Sequence, residues 1–194
     1  MNFVSNYAAE DMGGGWNGTN GHTWKGLSSQ FTANYVGPID PPTPIGAKII
    51  SKLARSAGRR GTMPVFGRAR LNKIADLYQR RRSSQAKLDH FHGATPWVLC
   101  DPPSAYTTYI DATFPQYMEV FANKNEFRSV DRERIENEEA IFLRGADLIF
   151  FGSDWARQNA IERYALEKRK TRVVFTGGKV PIPKKDRYEG SATF

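Results

Sequence analysis

A glycine-rich stretch near the N-terminus contains the first residues that could do chemistry. Gly13, Gly15 and Gly18 match the G-x-G-x-x-G spacing of dinucleotide-binding loops, in which the backbone approaches a pyrophosphate. The first glycine of such a loop directly follows a strand, but here Glu10 and Asp11 intervene and would repel a pyrophosphate. The P-loop of nucleoside-triphosphate-binding proteins requires a Lys-Ser/Thr pair after its glycines, and this stretch has none. The pattern favours a flexible loop ahead of a helix, either for an anionic or hydroxyl-rich ligand or as a surface turn.

Two further polar side chains occupy positions where ligands bind in α/β proteins. Asp111, in the segment YIDATF, follows a predicted strand, and a carboxylate there could orient a hydroxyl group or take its proton. The alternative is that Asp111 caps the helix expected after Thr113. His22 falls on the first turn of the first predicted helix, where it could contact a phosphate or pack against its neighbours.

A metal site is the third chemistry to consider. His90 and His92 alternate along a predicted strand, so their side chains point to the same face and could share an ion with Cys100. No further ligand has a recognisable spacing. We therefore expect no metal.

The composition predicts one globular domain of 194 residues, of which 40% are hydrophobic. Cys100 is the single cysteine and cannot form an intramolecular disulfide, which fits a reducing compartment. The N-terminus lacks the pattern of a signal peptide, and no apolar run approaches the roughly 20 residues of a membrane span. The cytoplasm is the expected location.

Positive charge is concentrated in a basic helical segment, about residues 45–87. Between Lys48 and Lys87 there are twelve Lys and Arg residues and one acid, Asp76, so this stretch carries +11 and the rest of the chain −3. Its first helix has an apolar stripe beside cations, which is typical of helices that lie on anionic membranes. The candidate membrane contacts are Lys48, Ile49, Lys52, Leu53 and Arg55. A merely solvated face is the alternative, and no recognised nucleic-acid-binding motif is present, so we expect no nucleic-acid partner.

Short apolar runs alternate with stretches of helical period along most of the chain. The predicted order is strand (residues 2–7), helix, strand (residues 31–37), basic helical segment, two strands, helix, strand, helix and strand. This alternation predicts an α/β fold, a Rossmann-like parallel sheet with helices on both faces. The clearest unit is the strand at residues 148–151 followed by a helix that Ser153 or Asp154 caps.

Five segments together resemble, in order and spacing, the N-terminal domain of GT-B glycosyltransferases of the group 1, or family 4, type. They are SNYAAEDMGGGWNGTNGHTWKGL, ANYVGPIDPP, YIDATF, ADLIFFGSDWARQNAIERY and TRVVFTGGKV. The resemblance implies an acceptor-side domain over residues 1–182, with residues 183–194 as a linker or the start of a second domain. In the family that second domain holds a nucleotide-sugar, and sugar transfer to a hydroxyl acceptor serves surface polysaccharide or glycolipid synthesis.

The resemblance also implies site residues. Substrate-binding positions carried over from the family are Gly14, Gly15, Gly18, Thr19, His22, Asp111 and Thr113, and Asp111 is the catalytic candidate. Ile110 stands where the family pattern has threonine, which weakens the expected sugar contact at that strand end. Glu136, Glu138 and Glu139 lack the spacing of the family's donor-binding glutamates.

These features imply an enzyme half that is inactive alone and needs no cofactor. This domain binds a sugar or lipid-linked acceptor. If the basic segment contacts the membrane, binding takes place at the inner face of that membrane. One alternative is a non-catalytic module that binds a glycan, a lipid or a protein partner. Another is a nucleotide-cofactor enzyme that uses the loop from Gly13 to Gly18.

Overall fold

The computed structural model describes residues 1–10 and 18–175. These residues form a Rossmann-like α/β fold around one parallel sheet of six strands in the order β2-β1-β3-β4-β5-β6. The strands are β1 (Asn2–Val4), β2 (Asn34–Val36), β3 (Leu88–His92), β4 (Ala105–Ile110), β5 (Leu148–Phe151) and β6 (Thr171–Val173). The helices are α1 (Thr19–Gln30), α2 (Ile45–Ser56), α3 (Arg68–Arg81), α4 (Phe114–Val120), α5 (Ser129–Gly145) and α6 (Asp154–Tyr164).

The strand order places the helices on two faces of the sheet. The connection from β1 to β2 runs toward one end of the sheet, and the connections after β2 run toward the other end. Because crossovers between parallel strands are right-handed, α1 lies on one face of the sheet and the later helices lie on the opposite face. Trp24 of α1 packs against Phe3, with 5.7 Å between ring centroids. On the other face Phe91 contacts Tyr78 of α3 at 5.3 Å and Phe142 of α5 at 5.4 Å. The prediction of helices on both faces is confirmed.

The main hydrophobic core lies on the face that α3, α5 and α6 cover. Leu71, Ile74 and Tyr78 of α3 are fully buried there, as the apolar stripe of that helix predicts. Ala156, Ala160 and Tyr164 of α6 join the same cluster beside β5. Small alanines at helical spacing let α6 approach the sheet closely.

Local sequence signals placed the unit β5–α6 correctly, but they extended the first two strands too far. The predicted first strand ran over residues 2–7, whereas β1 ends at Val4. Beyond it the Ser5 hydroxyl accepts a hydrogen bond from the Tyr7 backbone N–H at 3.1 Å, and this turn ends the strand. The helix considered after Thr113 was left out of the predicted element order, but it is present as α4, which the Thr113–Gln116 capping box starts.

In the basic segment, α2 lies outside the sheet and α3 packs on it. Arg70 holds the proline-rich loop in place: its Nε donates to the Pro41 carbonyl at 2.8 Å and its Nη2 pairs with Asp40. No helix within residues 1–10 and 18–175 is long and apolar enough to cross a membrane.

Candidate functional site

The candidate site lies at the carboxyl edge of the sheet, between β1 and β3. The strand order reverses at β1, and in open α/β sheets ligands bind in the crevice that such a reversal leaves. α1 begins at this edge, after Gly18, whose left-handed backbone (φ 81°) makes the turn into the helix. The first turn of α1 has no acidic residue, and no side chain within residues 1–10 and 18–175 caps it, so its positive end suits an anionic or hydroxyl-rich ligand.

A buried hydrogen-bond network fixes the start of α1 against β1. The Ser5 hydroxyl donates to Asn20 Oδ1 at 2.5 Å, and Asn20 Nδ2 donates to the Ala8 carbonyl at 3.2 Å and to the Tyr35 hydroxyl at 3.1 Å. The Tyr35 hydroxyl in turn donates to the Tyr7 carbonyl at 2.6 Å. Ser5 and Asn20 are fully buried. The network therefore positions the helix end.

Gly37 allows the loop after β2 to approach this network. A Cβ at Gly37 would lie 2.8 Å from the Ser5 carbonyl oxygen and 2.7 Å from Tyr35 Cε1, closer than real contacts permit. The loop is then tied down by Asn6, whose Nδ2 donates to the Ile39 carbonyl at 2.7 Å. The hydrogen-bond network around Asn20 was not predicted from the sequence. An asparagine in the first turn of a helix that follows a glycine was a signal for it.

The sequence-predicted residues of the glycine loop fall partly within the described chain. Gly14 and Gly15 lie outside the described residues. Gly18 is buried, Thr19 is half-buried and His22 is exposed on the first turn of α1. The structure therefore leaves His22 accessible to a ligand at the positive end of the helix.

Asp111 follows β4 at the same edge, two strands away from β1. The strand spacing of about 4.8 Å separates the ends of β1 and β4 by roughly 10 Å. Asp111 is exposed as a residue, yet the atoms around its carboxyl group exclude water and raise its pKa, against the opposing effect of hydrogen bonds from its own and the Ala112 backbone N–H. A raised pKa improves a carboxylate as a proton acceptor near neutral pH.

Thr113 has a capping role in the structure. It is fully buried, its hydroxyl accepts from the Gln116 backbone N–H at 3.4 Å, and the Gln116 side chain accepts from the Thr113 N–H at 3.0 Å. Thr113, and not Asp111, therefore caps α4. This leaves the Asp111 carboxylate for other contacts.

A buried carboxylate in α5 connects three segments near this part of the carboxyl edge. Glu139 of α5 is fully buried and accepts hydrogen bonds from the Thr95 hydroxyl at 2.6 Å, the Phe114 N–H at 2.7 Å and the Tyr164 hydroxyl at 2.7 Å. Burial raises the pKa of Glu139, and the three donors oppose that shift. One side chain thus joins the loop after β3, the start of α4 and the end of α6.

The histidines of β3 do not form the metal site considered from the sequence. His90 and His92 face α1's side of the sheet, with ring centroids 5.4 Å and 5.9 Å from Phe3, whereas Cys100 belongs to the core cluster on the opposite face. No group of three potential ligands for a metal occurs within the described ranges.

Burial keeps both imidazoles neutral and lowers the pKa of His90 to about 3 and that of His92 to about 4. The unfolded chain takes up these protons near pH 6.5, and the folded chain does so only at lower pH, so stability is lost as the pH falls below about 6.5.

We expect replacement of His90 by glutamine to flatten this pH dependence. Between pH 7 and pH 5 the unprotonated His90 costs the native state about 2 kcal/mol relative to the unfolded chain, and H90Q removes that loss. Urea denaturation at both pH values measures it, with H22Q at the exposed histidine as the control. An equal pH dependence in H90Q and the unmodified protein would contradict a neutral, buried His90.

No protein-family model matches this chain, and no curated protein matches it. The fold and the geometry of the carboxyl edge therefore carry the functional argument.

Proposed function

We propose that this chain is the acceptor-side domain of a GT-B glycosyltransferase. The observation that carries the proposal is the placement of two features on one edge of the sheet: the uncapped start of α1 beside the strand reversal, and Asp111 at the end of β4. A sugar acceptor with several hydroxyl groups fits an edge that offers backbone N–H donors on one side and a carboxylate acceptor on the other.

Each part has a role in the proposed transfer. Asp111 orients the acceptor hydroxyl and takes its proton as the new glycosidic bond forms, and the raised pKa of its carboxyl group suits that role. The first backbone N–H groups of α1 donate to other hydroxyl groups of the acceptor. A second domain binds the nucleotide-sugar, so this chain alone holds acceptors and does not turn over.

A ligand panel tests the proposal. The protein is titrated with nucleotide-sugars, free nucleotides and mono- and oligosaccharides while its melting temperature and sugar release are followed. We expect no turnover and no stabilisation by nucleotide-sugars, with stabilisation confined to saccharides. Turnover or tight binding of a nucleotide-sugar by this chain would overturn the half-enzyme proposal.

Matched variants locate the saccharide. D111N at the carboxyl edge is expected to weaken binding about tenfold, the loss of one charge-assisted hydrogen bond, and H22Q is expected to weaken it through loss of the imidazole contact at the start of α1. D101N, on the loop that enters β4 at the opposite edge, serves as the control. Saccharide binding that all three variants leave unchanged would support a glycan-binding module whose site lies elsewhere.

We further propose that α2 holds the domain on an anionic membrane. Its large aliphatic side chains point away from the domain: Ile45 is 75% exposed, Ile49 52%, Ile50 66% and Leu53 64%. The side that packs against the domain is made of small residues instead, including Ser51, whose hydroxyl donates to the Thr62 carbonyl at 2.8 Å. An exposed row of four aliphatics is typical of an interaction surface.

The cations of α2 flank this row on one side. At about 100° per residue, Lys48, Lys52 and Arg55 fall between the packed side and the aliphatic side. Lys48 and Lys52 are exposed, whereas Arg55 pairs with Glu126 at 2.8 Å and lies over the Phe127 ring. The two lysines therefore provide the attraction to anionic headgroups in this proposal.

A further inference from the structure

A cavity of about 360 Å³ lies between α2, α3 and the start of α5. Four arginines line it, Arg68, Arg70, Arg128 and Arg134, together with one acid, Asp131. Such a density of guanidinium groups around a concave space is typical of sites for phosphate or carboxylate groups.

Two of these arginines are held by the fold and build the wall of the cavity. Arg70 is bound by the Pro41 and Val65 carbonyls and by Asp40. Arg134 donates to Glu138 at 2.6 Å and to the Phe66 carbonyl at 2.8 Å. Both guanidinium groups are therefore fixed before any ligand arrives.

Arg68 and Arg128 are bound less completely. Arg68 donates one Nη to Glu138 at 2.9 Å, and Arg128 donates its Nε to Asp131 at 2.8 Å. Their remaining guanidinium N–H groups have no acceptor within the part of the chain that the structure describes, and their side chains are 66% and 49% exposed. They can bind an anion without breaking the fold.

Backbone groups add to the positive potential. α2, α3 and α5 all begin beside the cavity, at Ile45, Arg68 and Ser129, and none of them has a side-chain cap. Ala47, Arg68 and Ala69, which belong to the first turns of α2 and α3, line the cavity directly. The first N–H groups of a helix lack intrahelical acceptors and favour a bound anion.

We propose that this cavity binds a phosphate monoester through Arg68 and Arg128. The phosphate comes either from a soluble metabolite or from a lipid headgroup, because α2 forms one wall of the cavity and also carries the exposed aliphatic row. Gly18, Thr19, His22, Asp111 and Thr113 are not among the residues that line the cavity, so phosphate binding here is tested independently of the proposed glycosyl transfer.

Calorimetric titration with inorganic phosphate at constant ionic strength, and co-sedimentation with phosphatidylcholine vesicles that contain phosphatidic acid, test the proposal. The variant R68Q/R128Q is expected to weaken binding of one or both probes at least about tenfold. D131N is expected to strengthen it, because the Asp131 carboxylate in the lining is neutralised. R59Q, an exposed arginine of the same basic segment that does not line the cavity, is the control.

The pattern across probes identifies the source of the phosphate. Saturable binding of inorganic phosphate that R68Q/R128Q weakens supports a soluble ligand, and a selective loss of vesicle binding supports a lipid headgroup. Absence of binding to both probes, or an equal loss in R59Q, would overturn the proposal. Melting curves in phosphate-free buffer establish that each variant is folded.

Discussion

Replacement of Glu139 by alanine is expected to lower the free energy of unfolding by about 3–5 kcal/mol. The change leaves three donors without their acceptor: the Thr95 and Tyr164 hydroxyls and the Phe114 backbone N–H. The backbone N–H cannot turn to another partner, and a buried donor without an acceptor costs roughly 1–3 kcal/mol. Urea denaturation followed by circular dichroism measures the loss.

The variant E139Q separates hydrogen bonding from charge. The amide side chain that it introduces has nearly the same shape as the carboxylate, and its oxygen can accept from both the Phe114 N–H and the Tyr164 hydroxyl. The Thr95 hydroxyl can reverse and accept from the amide NH₂ group. We therefore expect E139Q to lose less than about 1.5 kcal/mol. If E139Q and E139A were equally unstable, the negative charge itself, and not its hydrogen bonds, would hold these three segments together.

The same variants bear on the candidate site. Because Phe114 directly follows Thr113 and lies three residues after Asp111, loss of its N–H contact is expected to loosen the end of β4. D111N should leave the free energy of unfolding within about 0.5 kcal/mol, as for an exposed residue, while it weakens saccharide binding. The two positions thus distinguish support of the edge from contact with a ligand.

Elements with strong local signals could be predicted from the sequence. β5 has the predicted bounds and α6 begins after the predicted serine cap, because a short apolar strand, a serine cap and alanines at helical spacing occur in immediate succession. The parallel sheet follows from the alternation of such units. The ends of β1 and β2 could not be predicted, since they depend on hydrogen bonds between the loops after these strands, such as that from the Ile39 N–H to the Ser5 carbonyl.

The supports of the candidate site were hidden for the same reason. Nothing local marks Glu139 as the buried acid among the acids of its helix, because its three donors are 25 to 44 residues away along the chain. Likewise, Asn20 links to Ser5 and Tyr35, 15 residues away on either side. The chemistry at the edge, Asp111 and the start of α1, was visible as residue types. Its scaffold depended on tertiary contacts.

The apolar stripe of α2 has the expected helical spacing, but that spacing does not determine whether the stripe faces the domain or points away from it. A stripe at helical spacing usually marks the face that packs on the core. The face of α2 that packs against the domain leaves little space for side chains. Gly61 lies so close to it that a Cβ there would be 2.5 Å from Ser51 Oγ. Large aliphatics do not fit against such a surface. The stripe therefore faces outward.

Replacement of Ile49 and Leu53 by glutamine is expected to weaken binding to anionic vesicles by about a hundredfold. Each aliphatic side chain gains about 1.5–3 kcal/mol on full burial, and partial burial of two such side chains corresponds to that factor. The net charge is unchanged, so the loss reports apolar contact alone. Co-sedimentation with phosphatidylcholine–phosphatidylglycerol vesicles measures it.

Two further double variants complete the experiment, one as a control and one that removes two positive charges. Val120 and Phe121, exposed by 58% and 74% at the end of α4, receive the same glutamine substitutions and should bind vesicles normally. Substitution of Lys48 and Lys52 by glutamine should weaken binding less, by about 1 kcal/mol per charge, and only at low salt. If the lysine variants lost binding while I49Q/L53Q retained it, α2 would be a solvated basic face attracted to any polyanion. Concentration-dependent dimers that I49Q/L53Q abolishes, without vesicle binding, would instead assign the aliphatic row to a second copy of the chain.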